Sequence, residues 1–429
     1  MYMVATDSPD LRATRSRRAL PAGEGRALPA GGEAKGYLEM LNLFRVLACA
    51  AVVGNHSFIW ANMSTNAVGT GFVTMLHLSR NAFFFLSGLV ICYSQISHPR
   101  GLRAFWTRRY VQLGVPYLAW TGIYLLFSLL TISLGWHEVW SFLRQNLLMG
   151  YSQLYPAFVI FQFCLVFPLV MKLLRATSRH GLVMGLSLVF SLFLGATLHY
   201  PWLLPSATDA ENALSSVVPW SRDLLTYQEF FVAGTLVALH LDAVCAFVAR
   251  HMRRIFAVTG VLGGLMILWY AVQVDLGTSL LRASDAYQPE AVLWYCAAIA
   301  SMFALSLWWQ SRANEPVQTR RPSWTTSAGL GAMTGGVWLS HNLVLTSLRS
   351  VLGATGLRSS LPWEATVFIL FVGTVLISGT FVVLILRTRL RWVLGGPVHA
   401  LQRAEYESWR ETSAVPDGLA TGRQRRHAD

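Results

Sequence analysis

The chain has 429 residues, of which 54% are hydrophobic and only 13% charged, and its mean hydropathy is +0.45. A soluble domain carries about 25% charged residues, so an ordinary water-facing surface is excluded and lipid must replace much of the solvent. The formal net charge of +13 would suggest nucleic acid in a soluble protein; here arginines gathered against an anionic inner leaflet explain it better, and no nucleic-acid partner is expected.

Residues 1–36 are polar, rich in Ala, Gly, Pro and Arg, and lack an apolar core. They read as a disordered cytoplasmic tail rather than a signal peptide. A hydrocarbon core of about 30 Å needs roughly 20 apolar residues in a helix. Stretches of that kind follow at 38–60, 71–95, 110–134, 152–174, 181–199, 226–248, 255–275, 290–310, 325–348 and 364–386. The fifth is the weakest, and the loop after it (200–225) contains Pro201, Pro205 and Pro219. The fold class is therefore all-α, a polytopic membrane bundle of about ten transmembrane helices over 37–390, with a basic cytoplasmic tail at 391–429. Cys49, Cys92, Cys164, Cys245 and Cys296 each lie in apolar stretches without CxxC spacing, so no disulfide framework and no metal site are expected.

Charge sets the orientation. With ten spans, 27 Lys and Arg fall on the side of the two termini, against six on the other: Arg80, Arg144, Arg222, Arg282, Arg349 and Arg358. That asymmetry places both ends in the cytoplasm. No internal repeat is evident, which disfavours transporters built from duplicated halves.

Ionisable groups inside a bilayer are functional candidates by default. Arg45 and His56 in the first span are 11 residues apart. On a helix this leaves them only about 20° apart in angle and separated by a rise of roughly 16 Å. Arg45 would lie toward the cytoplasm, suited to a phosphate-bearing donor, and His56 toward the outer side, suited to general-base work on a hydroxyl. The plainer reading has Arg45 snorkelling to headgroups and His56 resting at the interface. Arg80 opens the run Arg80-Asn81-Ala82-Phe83-Phe84-Phe85-Leu86-Ser87-Gly88 and opposes the positive-inside trend. The aromatic run reads as packing or lipid-facing surface, and Ser87-Gly88 as a face for close helix approach. Glu229, before Phe230-Phe231, is a candidate acidic partner for His56. His98, His251 and His399 lie in basic segments and read as solvated, while His137 and His199 fall at the outer interface.

Several of these segments together resemble the acyltransferase-3 family of bacterial membrane O-acyltransferases. The first span resembles the family's opening helix, with arginine, a nearby alanine, and histidine 11 residues after the arginine. Phe83 to Gly88 resembles its Phe-rich Leu-Ser-Gly helix, and Arg108-Arg109 through Pro116-Tyr117 its basic loop and following helix. Leu154-Tyr155 through Phe167-Pro168 is similar to the fourth span, and Gly335 through His341 to the ninth. The ordered set covers about 37–390. The family often has an acidic residue where Asn42 stands and arginine where Gln112 stands.

The resemblance implies transfer of an acyl group, often acetyl, from cytoplasmic acyl-CoA to a hydroxyl of a glycan, glycolipid or natural product. Arg45, Arg108 and Arg109 would serve the donor, with the arginine pair in a loop. His56 would be catalytic, and His341 and Arg80 would line the acceptor side. His341 on its own reads as a satisfied interior histidine. Acyl-CoA is expected as a substrate, with no bound cofactor. The expected partners are membrane lipid, acyl-CoA and the acceptor; association into a homodimer is left open. The expected location is a bacterial inner membrane. Competing readings are a transporter or flippase using the same Arg and His path, and an acyltransferase in which His341 rather than His56 is central.

Overall fold

A computed structural model describes residues 32–61, 65–150, 152–200, 222–313 and 327–394. The described residues form helices and turns with no strand, an all-α polytopic bundle. In chain order the helices are α1 (Gly32–Trp60), α2 (Ala67–Leu76), α3 (Leu78–Ser97), α4 (Leu102–Thr131), α5 (Trp136–Met149) and α6 (Tyr155–Ala176). They continue as α7 (His180–His199), α8 (Gln228–Leu239), α9 (Leu241–Asp275), α10 (Pro289–Ala313), α11 (Ser327–Ala354) and α12 (Trp363–Leu386). A 3₁₀ helix, Arg389–Leu394, follows α12, and its buried Leu394 packs under Gly336 of α11. All five cysteines are free.

Among the described residues, eight helical stretches are long and apolar enough to cross a membrane, so the protein is a multi-pass membrane protein. The other two expected spans are α8 and α11. α8 has 12 residues, about 18 Å of helix, and is shorter than the hydrocarbon core. α11 has 28 residues, but the polar Ser340-His341-Asn342 interrupts its apolar run, with Ser340 and His341 buried in the bundle and Asn342 half-buried.

Three sequence expectations change. The tail expected to run to residue 36 gives way to α1 at Gly32, and residues 1–31 and 395–429 of the two expected tails lie outside the described residues. The loop expected between the sixth and seventh spans is helix. α9 runs 35 residues without interruption through Arg250, Arg253 and Arg254, because arginine is a good helix former. The break comes earlier, at His240, where two histidines meet. His180 Nε2 donates to Leu174 O (2.8 Å), so its Nδ1 accepts from His240 Nε2 (2.6 Å), which ties the α8–α9 corner to the start of α7. The second expected span is likewise two helices, α2 and α3, joined at His77; Asn66 caps α2 by accepting from Gly69 N (2.8 Å).

The core is aromatic where α3, α6 and α8 meet. Phe163 and Phe231 stack with centroids 4.1 Å apart, and Phe84 packs against both Phe163 and Tyr227. Two glycines allow the backbones of α3 and α8 to touch. A Cβ at Gly88 would lie 2.2 Å from Phe231 O, and one at Gly234 would lie 1.9 Å from Phe85 O.

Candidate active site

Two cavities lie end to end along the α1 face that carries Arg45 and His56. The smaller, about 170 Å³, is lined by Arg45, Cys49, Thr334 and Gly335 among others. The larger, about 390 Å³, is lined by Asn55, His56, His77, Arg80, Tyr155 and His341 among others. Both share Val52, Ser79, Phe83 and Trp338 as walls. The rings of Phe83 and Trp338 stack between them, with centroids 5.2 Å apart and planes inclined by 23°. One stripe of α1 therefore serves both spaces, as the 11-residue spacing of Arg45 and His56 requires.

At the first space, Arg45 Nη1 donates to Asn42 Oδ1 (3.0 Å), one helical turn back on α1. A neutral amide holds the guanidinium in place without cancelling its charge.

In the larger cavity His341 is fully buried, and its ring centroid lies 5.1 Å from that of His56. His341 Nδ1 is 2.5 Å from Trp338 O in its own helix. A carbonyl can only accept, so the neutral ring carries its proton on Nδ1 and leaves Nε2 as a bare lone pair. Among the described residues no group meets that nitrogen. His56 has no hydrogen-bond partner among the described residues. Asn55 Oδ1, His77 Nδ1 and Arg80 Nε are also buried without partners. Buried polar atoms are nearly always paired, and four orphans around one cavity mark a place where a ligand completes the bonding. The wall beside them is braced: Asn342 Nδ2 donates to Gln153 Oε1 (3.0 Å), and Trp60 Nε1 donates to Asn342 Oδ1 (3.1 Å).

The remaining expected residues lie elsewhere. Arg108 and Arg109 are in the second turn of α4 rather than in a loop, and neither lines either cavity. Arg109 lies over the Phe105 ring, 6.0 Å from its centroid. Glu229 is 1% exposed and lies beside Ser191 of α7 and Cys296 of α10, outside the cavity that holds His56. As an acidic partner for His56 it is therefore set aside, because α8 turns that side chain toward α7 and α10. His199, read as interfacial, is buried at the end of α7 and bonds Asp285 (3.0 Å).

The chain matches a family model described as an acyltransferase domain over residues 38–383. It belongs to the acyltransferase-3 family. No curated protein and no solved structure matches it. The activity of this acyltransferase is transfer of an acyl group to a hydroxyl acceptor, which favours the acyl-transfer reading over the transporter one. Of the residues around the acyltransferase's larger cavity, the sequence reading passed over His77, Tyr155 and Asn342. His77 carried a usable signal, being an ionisable side chain inside an apolar run. Tyr155 and Asn342 carried none of their own.

Proposed function

We propose that this acyltransferase takes an acyl group, acetyl in the simplest case, from cytoplasmic acyl-CoA and esterifies a hydroxyl of a glycan, glycolipid or natural product on the other side of a bacterial inner membrane. Both termini are cytoplasmic in this reading, in keeping with the 27-to-6 distribution of Lys and Arg. Arg45 holds a phosphate of the donor in the smaller space. The thioester end extends past Phe83 and Trp338 into the larger one.

The observation that carries the proposal is the bare Nε2 of His341 beside His56, with its proton held on the far nitrogen by Trp338 O. The acceptor hydroxyl gives its proton to that nitrogen as its oxygen attacks the thioester carbon. The C–S bond then breaks, and the departing sulfur takes the proton, releasing the ester and free CoA thiol. Sequence alone favoured His56 as the base; the geometry favours His341, because only its ring has one nitrogen already committed. His56 is placed to bind the same hydroxyl. Neither role needs Arg108 or Arg109 at the cavities; both fit a basic surface that attracts the donor.

The test is release of CoA thiol from acetyl-CoA by the purified protein supplied with hydroxylated acceptors. His341→Ala should lower turnover by about 10²–10⁴-fold, the usual worth of a general base, with expression and size-exclusion profile retained. Wild-type turnover in that variant overturns the assignment. Loss in His56→Ala alone would return the base role to His56.

A further inference from the structure

Arg80 is a cation in search of an anion. Its Nη1 donates to the Tyr287 hydroxyl (3.3 Å), and its guanidinium lies 4.7 Å from the Tyr287 ring centroid and 5.6 Å from that of Tyr227. These aromatic faces offset part of the cost of burying the charge but bring no negative charge of their own. Nε remains buried and unpartnered. Among the described residues no carboxylate lies within ion-pair distance of Arg80. Asp285 is close enough for the Arg80 charge to help hold its carboxyl below the ordinary value, but it lies beyond ion-pair distance and its oxygens are bonded elsewhere, Oδ2 with His199 Nδ1 (3.0 Å) and Oδ1 with Tyr287 N (3.2 Å). An unpaired cation within a bilayer-spanning helix is costly and is retained where a ligand neutralises it.

Arg80 and the His341 lone pair line the same cavity of about 390 Å³, within the usual range for small-molecule sites. The donor's phosphates have their own cation in Arg45, beyond the Phe83–Trp338 pair. Building on the acyl-transfer reading above, we infer that the acceptor is acidic: a hydroxylated molecule bearing a carboxylate or phosphate that pairs with Arg80 while its hydroxyl meets His341. A guanidinium offers either anion two parallel N–H donors, and the two remaining orphans of the cavity, Asn55 and His77, are left for the neutral hydroxyls.

The test has two readouts. Binding is measured by calorimetry on the full-length detergent-solubilised protein without acyl-CoA, using methyl glucuronide, glucose 1-phosphate and methyl glucoside as probes. At least one acidic probe should bind about 100-fold more tightly than the neutral sugar. Arg80→Gln should reduce that ratio to below about 5-fold. Arg80→Lys, which keeps the charge and guards against misfolding, should hold an intermediate ratio. The acidic probe with the larger ratio identifies carboxylate or phosphate as the anion. This readout needs no turnover, so it can succeed or fail independently of the acyl-transfer reading.

In the second readout, acyl transfer from acetyl-CoA, Arg80→Gln should act through KM for acidic acceptors. Equal binding of acidic and neutral probes by the wild-type protein overturns the inference, as does failure of both acidic probes to bind at about 10 mM. An equal loss of kcat for both acceptor classes in Arg80→Gln also overturns it, since Arg80 would then stabilise the oxyanion of the transition state.

Discussion

Gly234→Ala asks whether the closeness of α3 and α8 sets the shape of the larger cavity. The new Cβ would fall 1.9 Å from Phe85 O and 2.9 Å from Leu89 N, whereas ordinary contact begins at 3.4 Å. The helices must therefore separate by about 1.5 Å along that line. The obstacle is backbone, so no side chain can rotate away to absorb the change. Overpacking of this kind costs about 1–3 kcal/mol, and the upper end is expected because the clash lies within the aromatic core. α3 also carries Ser79, Arg80 and Phe83 into the cavity. A shift of about 1 Å in such walls costs on the order of 10²-fold in rate. The assay pairs a thermal midpoint in detergent with turnover of acetyl-CoA, and both should fall. Gly264→Ala is the control, because nothing lies within 4 Å of a Cβ built there. A Gly234→Ala protein with wild-type midpoint and turnover would refute the reasoning, and one destabilised but fully active would separate the helix contact from the site.

Three further outcomes are expected. Phe83→Ala removes one face of the stacked pair between the cavities and should raise the rate with butyryl-CoA relative to acetyl-CoA; an unchanged ratio counts against the pair as a limit on acyl length. Arg45→Ala should raise KM for acyl-CoA by about 10–100-fold with a smaller effect on the acceptor, measured by initial rates at saturating acceptor. Burial would raise the pKa of Asp285, but the His199 hydrogen bond and the Tyr287 N–H outweigh it and hold the carboxyl below its ordinary value. Its stabilising contribution is therefore present above the unfolded-state pKa and lost as pH falls through the lower folded value. Asp285→Asn should lower the thermal midpoint at pH 7, and the gap from wild type should close on acidification toward about pH 3; a gap that stays constant with pH would argue against a stabilising Asp285 carboxylate.

How much of this was legible beforehand depends on the range of the interaction. Arg45 and His56 share one helix, so helical geometry alone placed them on one stripe. His341 was visible only as part of an ordered resemblance, since its fixed tautomer arises from the Trp338 carbonyl one turn back and not from residue type. Glu229 was misplaced because chain order does not reveal which helices are neighbours; α8 presents it to α7 and α10. The basic stretch around Arg253 reads as a loop when charge is equated with irregular backbone, yet arginines at a helix surface cost the helix little. Arg108 and Arg109 were placed in a loop by the family resemblance, and they too lie in a helix, α4. The α8–α9 corner rests on a contact between His180 and His240, 60 residues apart, which no local pattern encodes.

The stacked rings of Phe83 and Trp338 carry a consequence for the cell that houses the enzyme. If the site draws one substrate from each side of an energised membrane, as proposed above, it is also a potential leak. Of the four side chains that wall both spaces, Val52 and Phe83 offer no hydrogen-bonding group, which leaves only the Ser79 hydroxyl and the Trp338 indole N–H at the junction. In that reading the rings would narrow the route open to protons while acyl transfer proceeds, a role in insulation separate from any role in binding the acyl group.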